Sequence, residues 1–251
     1  MKNQLQLIAL VSILMVIGGC SPQLKALNVV PKPEMETVEL ESLEVVSEII
    51  SSNYQPLAES LDAYLLDQSF NGVTLVASGD EIILLKAYGL AQVNKQEEMT
   101  VDHQFQIASV SKSFVAVSIL QLVEAGKLTL DQTIDKYFPD MPNAELITIH
   151  QLLTHTSGLY SGDDLTNYSQ VTTVDEIIAP AFKSSNLYYE EPGTYSIYSN
   201  LGYDVLGAII EQVSGQTYAD YIEEHVLIPA GMTQSGLNME GLVLDNMATA
   251  Y

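Results

Sequence analysis

The chain has 251 residues, of which 32 are acidic and nine basic, so its formal net charge is -23 at pH 7. All nine basic residues are lysines, and this composition excludes the clustered cationic surface that nucleic-acid binding requires. Apolar residues make up 47% of the chain, which excludes a wholly disordered protein, and the length fits one large domain or two small ones.

The first 20 residues have the form of a secretory signal peptide. Lys2 gives a short basic start, residues 5–17 are apolar, and two glycines precede Cys20, the single cysteine. The end of this segment resembles a bacterial lipobox, in which the cysteine is lipidated and becomes the mature N-terminus. A short transmembrane helix is the alternative, but the apolar run is shorter than a span requires. We therefore predict lipidation at Cys20 and a lipid-anchored protein of the bacterial cell envelope, on the periplasmic or extracellular face.

Residues 21–54 are predicted to be an acidic tether between this anchor and the folded region. The segment contains three prolines and a series of glutamates that repel one another. Near its end, the apolar pairs Val45-Val46 and Ile49-Ile50 favour a short helix. The folded region is then expected over residues 55–251.

A helix and a β-hairpin are predicted at the start of that region. Residues 56–68 place leucines and a tyrosine on one side of a helix. Residues 73–77 and 81–88 are β-rich runs separated by Ser78-Gly79-Asp80, a turn sequence. An isolated hairpin is marginally stable, so it needs further strands, yet no run of comparable quality follows before Tyr251.

Residues 107–114 (IASVSKSF) begin a strongly apolar helix. Ser109 suits the N-cap position, and Gly126 suits the residue that ends the helix. A helix starting at Ser109 brings Lys112 one turn away on the same face. An amine within hydrogen-bond reach of a hydroxyl can activate a serine nucleophile, although an ordinary capped helix with a solvated lysine fits this motif alone equally well.

Three more helices are predicted further along the chain. The first and the third have a capping sequence at their start, and the first ends in a turn where Gly158 permits a left-handed backbone. Residues 161–193 are polar and predicted to be irregular. The helices are expected to begin after Thr148, at Asn200 or Leu201, and after Thr217, and to end near Leu153, Val213 and Leu227.

Tyr198-Ser199-Asn200 is the second candidate motif, immediately before one of these helices. A tyrosine beside a serine-lysine pair can pass a proton, because its phenol both donates and accepts hydrogen bonds. Its ordinary pKa is about 10, so catalysis as a base would need a nearby ammonium to favour the phenolate. Asn200 offers a donor and an acceptor to a substrate amide. A half-buried structural tyrosine is the alternative in a chain with 14 tyrosines.

Three stretches together resemble the serine β-lactamase and penicillin-binding protein superfamily: residues 107–114, 152–159 (LLTHTSGL) and 198–202 (YSNLG). Within it, the likeness is to class C β-lactamases, family VIII esterases and D-peptidases, and it runs from about Tyr54 to the end of the chain. The resemblance implies an α+β fold of the β-lactamase/transpeptidase type, in which a helical block packs against an antiparallel sheet.

The resemblance also implies roles for individual residues. Ser109 would be the acylated nucleophile, and its backbone N–H would form half of the oxyanion hole. Lys112 would hold or relay the proton, Tyr198 would act as general base, and Asn200 would bind the substrate. Which of Lys112 and Tyr198 is the true base stays open. Ser184-Ser185-Asn186 offers an alternative second motif, but the residues after it do not match the class C pattern.

The third motif of that superfamily, K-T-G or H-x-G on a strand, is absent from the chain, because no lysine or histidine has a glycine two residues later. We therefore expect the sequence to stop inside the domain without its C-terminal strands, and this chain alone to be inactive and poorly folded. The four histidines form no recognisable metal set, so no metal or other cofactor is predicted. His155, in the HTSGL turn, is expected to make a structural hydrogen bond.

Two functional hypotheses follow. In the first, the protein is an exported serine hydrolase whose acyl-enzyme forms from a small ester, amide or β-lactam or from a cell-wall peptide. In the second, the same pocket belongs to a sensor or pseudoenzyme that binds such molecules without turnover.

Overall fold

The computed structural model describes residues 48–160, 174–183, 187–188, 190–237 and 246–249. The predicted signal peptide, Cys20 and most of the tether lie outside these residues. Within them, no helix is long and apolar enough to cross a membrane.

The first part of the structure is a helix on a three-stranded antiparallel sheet. Helix α1 (Gln55–Asp67) and the hairpin of β2 (Gly72–Ser78) and β3 (Glu81–Tyr88) confirm the sequence prediction. The prediction of a helix at Ile49-Ile50 is wrong, because these residues form β1 (Ile49–Ile50), which pairs with β3 on the side opposite β2. The edge of β3 that faces away from β2 has backbone hydrogen-bonding groups to spare. The β-branched Ile49 and Ile50 favour the strand conformation and pair with this edge.

An ion cluster joins α1 to the sheet. The Lys86 ammonium lies 3.0 Å from carboxylate oxygens of both Asp62 and Glu48, and the Tyr88 hydroxyl donates to Asp62 at 2.8 Å. Partial burial raises the pKa of Asp62, but the hydrogen bonds from Tyr88 and Lys86 outweigh it and leave this pKa below its ordinary value. The charged groups therefore fix the helix on one face of β3.

A second, smaller sheet leads the chain towards the predicted nucleophile. It consists of β4 (Leu90–Gln92) and β5 (Glu97–Glu98). The described residues 246–249 lie beside it: the Gln104 amide donates to the Asn246 carbonyl at 2.8 Å, and the Thr249 amide donates to the Ala91 carbonyl at 2.9 Å. Chain segments far apart in sequence thus support the stretch that precedes Ser109.

A block of helices contains the main hydrophobic core. The helices are α2 (Ser111–Glu124), α3 (Ile149–Leu153), α4 (Val174–Phe182), α5 (Asn200–Ser214) and α6 (Tyr218–Ile222), and a π-helical turn (Glu223–Leu227) extends α6. Helix α5 contacts the other four, and its apolar side chains are buried between them. The fully buried side chains in this block include Ile119, Leu122, Ile149, Leu152, Leu201, Leu206, Ile209 and Ile210.

The predicted helix starts are confirmed by their side-chain caps. The Thr148 hydroxyl accepts from the Gln151 amide at 3.2 Å while the Gln151 side chain accepts from the Thr148 amide at 2.8 Å, a complete capping box. The Thr217 hydroxyl accepts from the Asp220 amide at 3.1 Å at the start of α6. These hydrogen bonds satisfy amides that the helices themselves leave unpaired.

Helix α4 corrects the prediction that residues 161–193 are irregular throughout. It forms although Pro180 lies inside it, and a proline removes one backbone hydrogen bond. Ile178 and Ala181 are buried in the core that α5 dominates. Because tertiary packing supplies most of the stability of a short helix, it outweighs the unfavourable propensity of this sequence.

Candidate active site

Ser109 lies in a short 3₁₀ turn (Ala108–Val110) that precedes α2. The prediction that Ser109 caps the helix is wrong, because Val110 occupies the N-cap position and no side-chain hydrogen bond caps α2. The backbone of Ala108 has a φ of 44°, a left-handed conformation that costs a non-glycine residue free energy. In this turn the Ser109 hydroxyl is exposed, and it makes hydrogen bonds with Tyr198 and Lys112 instead of capping its own helix.

The four predicted site residues form one hydrogen-bonded network. The Tyr198 hydroxyl donates to Ser109 Oγ at 2.6 Å, and Lys112 Nζ donates to Ser109 Oγ at 3.3 Å. Lys112 Nζ also donates to Asn200 Oδ1 at 2.6 Å. Residues 89 positions apart in sequence thus meet at the nucleophile, and Tyr198 is 50% exposed, so a substrate can approach it.

Aromatic rings surround the Lys112 ammonium. Its nitrogen lies 4.8 Å from the ring centroid of Tyr198 and 5.6 Å from that of Tyr203, within the distance of about 6 Å at which a cation is attracted to a ring face. These rings and Asn200 hold the ammonium beside Ser109. A positive charge in this place would stabilise the Ser109 oxygen once its proton has left.

Ser199, between the two motif residues, fixes both of them. This residue is 1% exposed; its hydroxyl accepts from the Gly202 amide at 3.0 Å and donates to the Tyr160 carbonyl at 2.7 Å. Ser199 is therefore the N-cap of α5. Sequence reasoning assigned it no role, although a serine three residues before Gly202 at a helix start is the signal of such a cap.

His155 is packed beneath Tyr198. Its ring centroid lies 4.6 Å from that of Tyr198 and 5.0 Å from that of Tyr203, and its Nδ1 accepts from the Ser199 amide at 3.2 Å. The structural hydrogen bond expected for His155 is thus present. Burial and the nearby Lys112 charge lower the pKa of His155 below its ordinary value. Tyr203, whose hydroxyl donates to the Leu153 carbonyl at 3.0 Å, was not singled out from the sequence.

The HTSGL turn binds the segment that leads to Tyr198. The Gly193 amide donates to the Thr156 carbonyl and the Ile197 amide to the His155 carbonyl, both at 2.7 Å. Gly158 has the predicted left-handed backbone, with a φ of 74°, and a Cβ at this position would lie 2.1 Å from the Glu190 carbonyl oxygen. The turn therefore needs glycine for both its conformation and its close approach.

The remaining sequence-based candidates are placed as follows. The alternative motif at residues 184–186 lies outside the described residues. In the part of the chain that the structure describes, no group of three or more histidine, cysteine, aspartate or glutamate side chains is arranged to hold a metal ion.

Comparison with known proteins places this chain in a family. The Beta-lactamase family model matches residues 54–251. A penicillin-binding protein of Bacillus subtilis (strain 168) is 36% identical over 170 residues, which are 66% of this chain and 38% of that protein.

Solved structures show the same similarity. D-amino acid amidase from Ochrobactrum anthropi SV3 superposes with a TM-score of 0.62 and 31% identity, covering 72% of this chain and 52% of the amidase. EstCE1, a hydrolase with promiscuous acyltransferase activity, gives a TM-score of 0.68 with 27% identity, covering 80% of this chain and 58% of that chain. The chain thus spans less than two thirds of the length of each relative.

Proposed function

Because the chain belongs to the beta-lactamase family and has its β-lactamase/transpeptidase-like fold, we propose that it is a serine hydrolase that acts through an acyl-enzyme on an ester, amide or β-lactam. The observation that carries this proposal is the contact of the Ser109 hydroxyl with both Tyr198, at 2.6 Å, and Lys112, at 3.3 Å. A hydroxyl is a weak nucleophile until a neighbouring base takes its proton.

The proposed reaction has two halves. In acylation, Ser109 Oγ forms a bond to the carbonyl carbon while its proton passes to Tyr198 as the phenolate or to Lys112 as the neutral amine, whichever of the two has first given up its own proton. The bond from that carbon to the leaving oxygen or nitrogen then breaks, and the leaving group takes the proton. In deacylation, the same pair takes a proton from water, and the water oxygen bonds to the ester carbon. The bond from that carbon to Ser109 Oγ then breaks, and Oγ takes the proton from the pair. Asn200 orients the Lys112 side chain and, as the resemblance implies, binds the substrate.

The choice of substrate class rests on the relatives. By their names, one relative is a D-amino acid amidase, EstCE1 is a hydrolase with acyltransferase activity, and the Bacillus relative binds penicillin. Esters, amides and β-lactams all present a carbonyl carbon to a serine. Intact-protein mass spectrometry of the full-length protein, after mixing with an aryl ester, a D-amino acid amide or a penicillin, distinguishes them, and the rate measurements below use the same protein. We expect a transient acyl adduct with release of product for at least one of these compounds.

A penicillin-binding sensor is the second candidate function. The name of the Bacillus relative supports it. A sensor that keeps Ser109 and Lys112 would be acylated by a penicillin but would not release the product. A permanent adduct without turnover of any of the three compounds would therefore replace the hydrolase proposal with the sensor.

Replacement of Tyr198 by phenylalanine is expected to slow acylation by about 10²- to 10⁴-fold, the usual contribution of a general acid or base. The ring contacts with Lys112 and His155 remain, so the loss reports on the hydroxyl. Stopped-flow release of the chromogenic alcohol from the aryl ester measures the rate. Tyr195→Phe is the matched control, because Tyr195 lies in the same segment and is 64% exposed; equal rates for the two variants would contradict the role of Tyr198.

We further propose that Cys20 is lipidated and holds the protein on the cell envelope. The apolar leader with two glycines before its cysteine supports this proposal. Metabolic labelling with a fatty acid is expected to mark the wild-type protein in the membrane fraction. Cys20→Ala should abolish the label, and a labelled Cys20→Ala protein would contradict the assignment.

A further inference from the structure

We propose that His155 is a positioning residue that keeps Tyr198 against Ser109 only while its imidazole is uncharged, so that protonation of this ring switches the site off. The proposal rests on the function proposed above, because it names a residue whose protonation would stop that reaction. His155 acts through Tyr198 and Ser199 and is not assigned a contact with the substrate.

One residue binds the backbone on both sides of Tyr198. The His155 carbonyl accepts from the Ile197 amide at 2.7 Å, and the His155 Nδ1 accepts from the Ser199 amide at 3.2 Å. The imidazole ring contacts both Tyr198 and Tyr203, tilted by 33° and 39° against them. The position of the phenol relative to Ser109 Oγ, at 2.6 Å, therefore depends on this ring.

The backbone conformation of His155 indicates that surrounding contacts hold this residue in position. Its φ is 57°, in the left-handed region that non-glycine residues rarely adopt. A residue persists in such a conformation when the contacts around it over-determine it, and this kind of strain is concentrated at functional sites. The hydrogen bonds to Ile197 and Ser199 supply those contacts.

The hydrogen bond to Ser199 defines the protonation state. A ring nitrogen that accepts a hydrogen bond carries no proton, so the single proton of the neutral ring is on Nε2. A second proton, on Nδ1, would place an N–H of the ring against the backbone N–H of Ser199, and the hydrogen bond between them would be lost. In the described part of the chain, the titratable and charged groups around the ring are the Lys112 ammonium from α2, the Tyr198 phenol from the segment before α5, and the Tyr203 phenol from α5. The ammonium has the same sign as the imidazolium and therefore opposes it.

The direction of the pH effect follows from the lowered pKa. Burial and the Lys112 charge lower the pKa of His155 below its ordinary value of 6.5, so the ring is neutral and the site assembled at neutral pH. Activity should fall as the pH drops through this lowered pKa. The unfolded chain takes up the proton first, near pH 6.5, so folding stability should decline as the pH falls from there to the folded-state pKa and then level off.

The test compares three proteins: wild type, His155→Asn and His150→Asn. Asparagine at position 155 offers Oδ1 as an acceptor near the place of Nδ1, tolerates a left-handed backbone and does not titrate. His150 is exposed on α3 and is the matched control. Two-dimensional NMR follows the histidine and tyrosine ring signals from about pH 8 to about pH 4, the range over which histidines and carboxylates titrate. The kcat for the best ester substrate is measured over the same interval.

We expect the wild-type and His150→Asn proteins to lose kcat by about tenfold per pH unit below the His155 midpoint, with KM little changed. The Tyr198 ring signals should shift with the same midpoint. In His155→Asn, the part of the acidic fall in kcat that has the His155 midpoint and the Tyr198 shift should both disappear. An unchanged acidic limb in His155→Asn, or a His155 midpoint at or above its ordinary 6.5, would overturn the proposal.

The NMR measurement separates this proposal from the proposed function. If wild type neither turns over nor becomes acylated, the hydrolase proposal fails, yet the coupled shifts of His155 and Tyr198 still decide whether the ring supports the phenol. His155→Ala adds a second check, because it removes acceptor and ring together. We expect it to lower kcat by about a hundredfold, the effect of displacing a catalytic group by about 1 Å, and His155→Asn to recover most of that loss at neutral pH.

Discussion

Ser109→Ala is expected to abolish acyl-enzyme formation and to reduce turnover by about a millionfold, the loss found when another serine hydrolase loses its nucleophile. The reason is that the Ser109 oxygen is the atom that would bond to the substrate carbon, and it is the oxygen on which the Tyr198 and Lys112 hydrogen bonds converge. Intact-protein mass spectrometry with a penicillin and rate measurements with an aryl ester test both parts of this expectation.

The matched control for Ser109 is Ser113→Ala. Ser113 is also an exposed serine, one turn further along in α2. The control should retain wild-type adduct formation and rate, and both variants should unfold at the wild-type temperature. Full ester turnover in Ser109→Ala would show that another residue is the nucleophile and would remove the basis of the proposed reaction.

Gly158→Ala is expected to cause a large loss of stability. A Cβ at this position would lie 2.1 Å from the Glu190 carbonyl oxygen, a backbone atom that cannot rotate away. The φ of 74° adds the strain of a left-handed alanine. Together these effects should cost about 2–6 kcal/mol, from backbone strain and overpacking. Chemical denaturation followed by circular dichroism measures the change.

Gly126→Ala separates the two causes. Gly126 has a similar φ of 69°, but nothing lies within 4 Å of the place that a Cβ would occupy there, so alanine should cost only about 1–2 kcal/mol. Gly158→Ala should also lower activity in the protein that still folds, because the same turn holds the segment before Tyr198. Equal destabilisation by the two substitutions would show that the contact with Glu190 does not matter.

The local elements of this protein are largely determined by its sequence. Helix α1, the β2–β3 hairpin, the Thr148 capping box and the left-handed Gly158 all follow from neighbouring residues, and the structure confirms each. Propensity, capping and turn chemistry act over a few residues, so a single sequence displays them. The strand at Ile49-Ile50 and helix α4 were predicted wrongly, because their partners, β3 and α5, are distant in the chain.

For the site, the sequence by itself supplied the chemistry: a serine with a lysine three residues later, and a tyrosine with an asparagine two residues later. Only the tertiary structure decided that these pairs meet, that Ser109 precedes the helix instead of capping it, and that His155 and Tyr203 pack against Tyr198 and Lys112. The physical reason is that the side-chain types, which can be read from the sequence, determine which reactions the site could perform. The distances that make a hydroxyl nucleophilic are set by the packing of α2, α3 and α5 around one core.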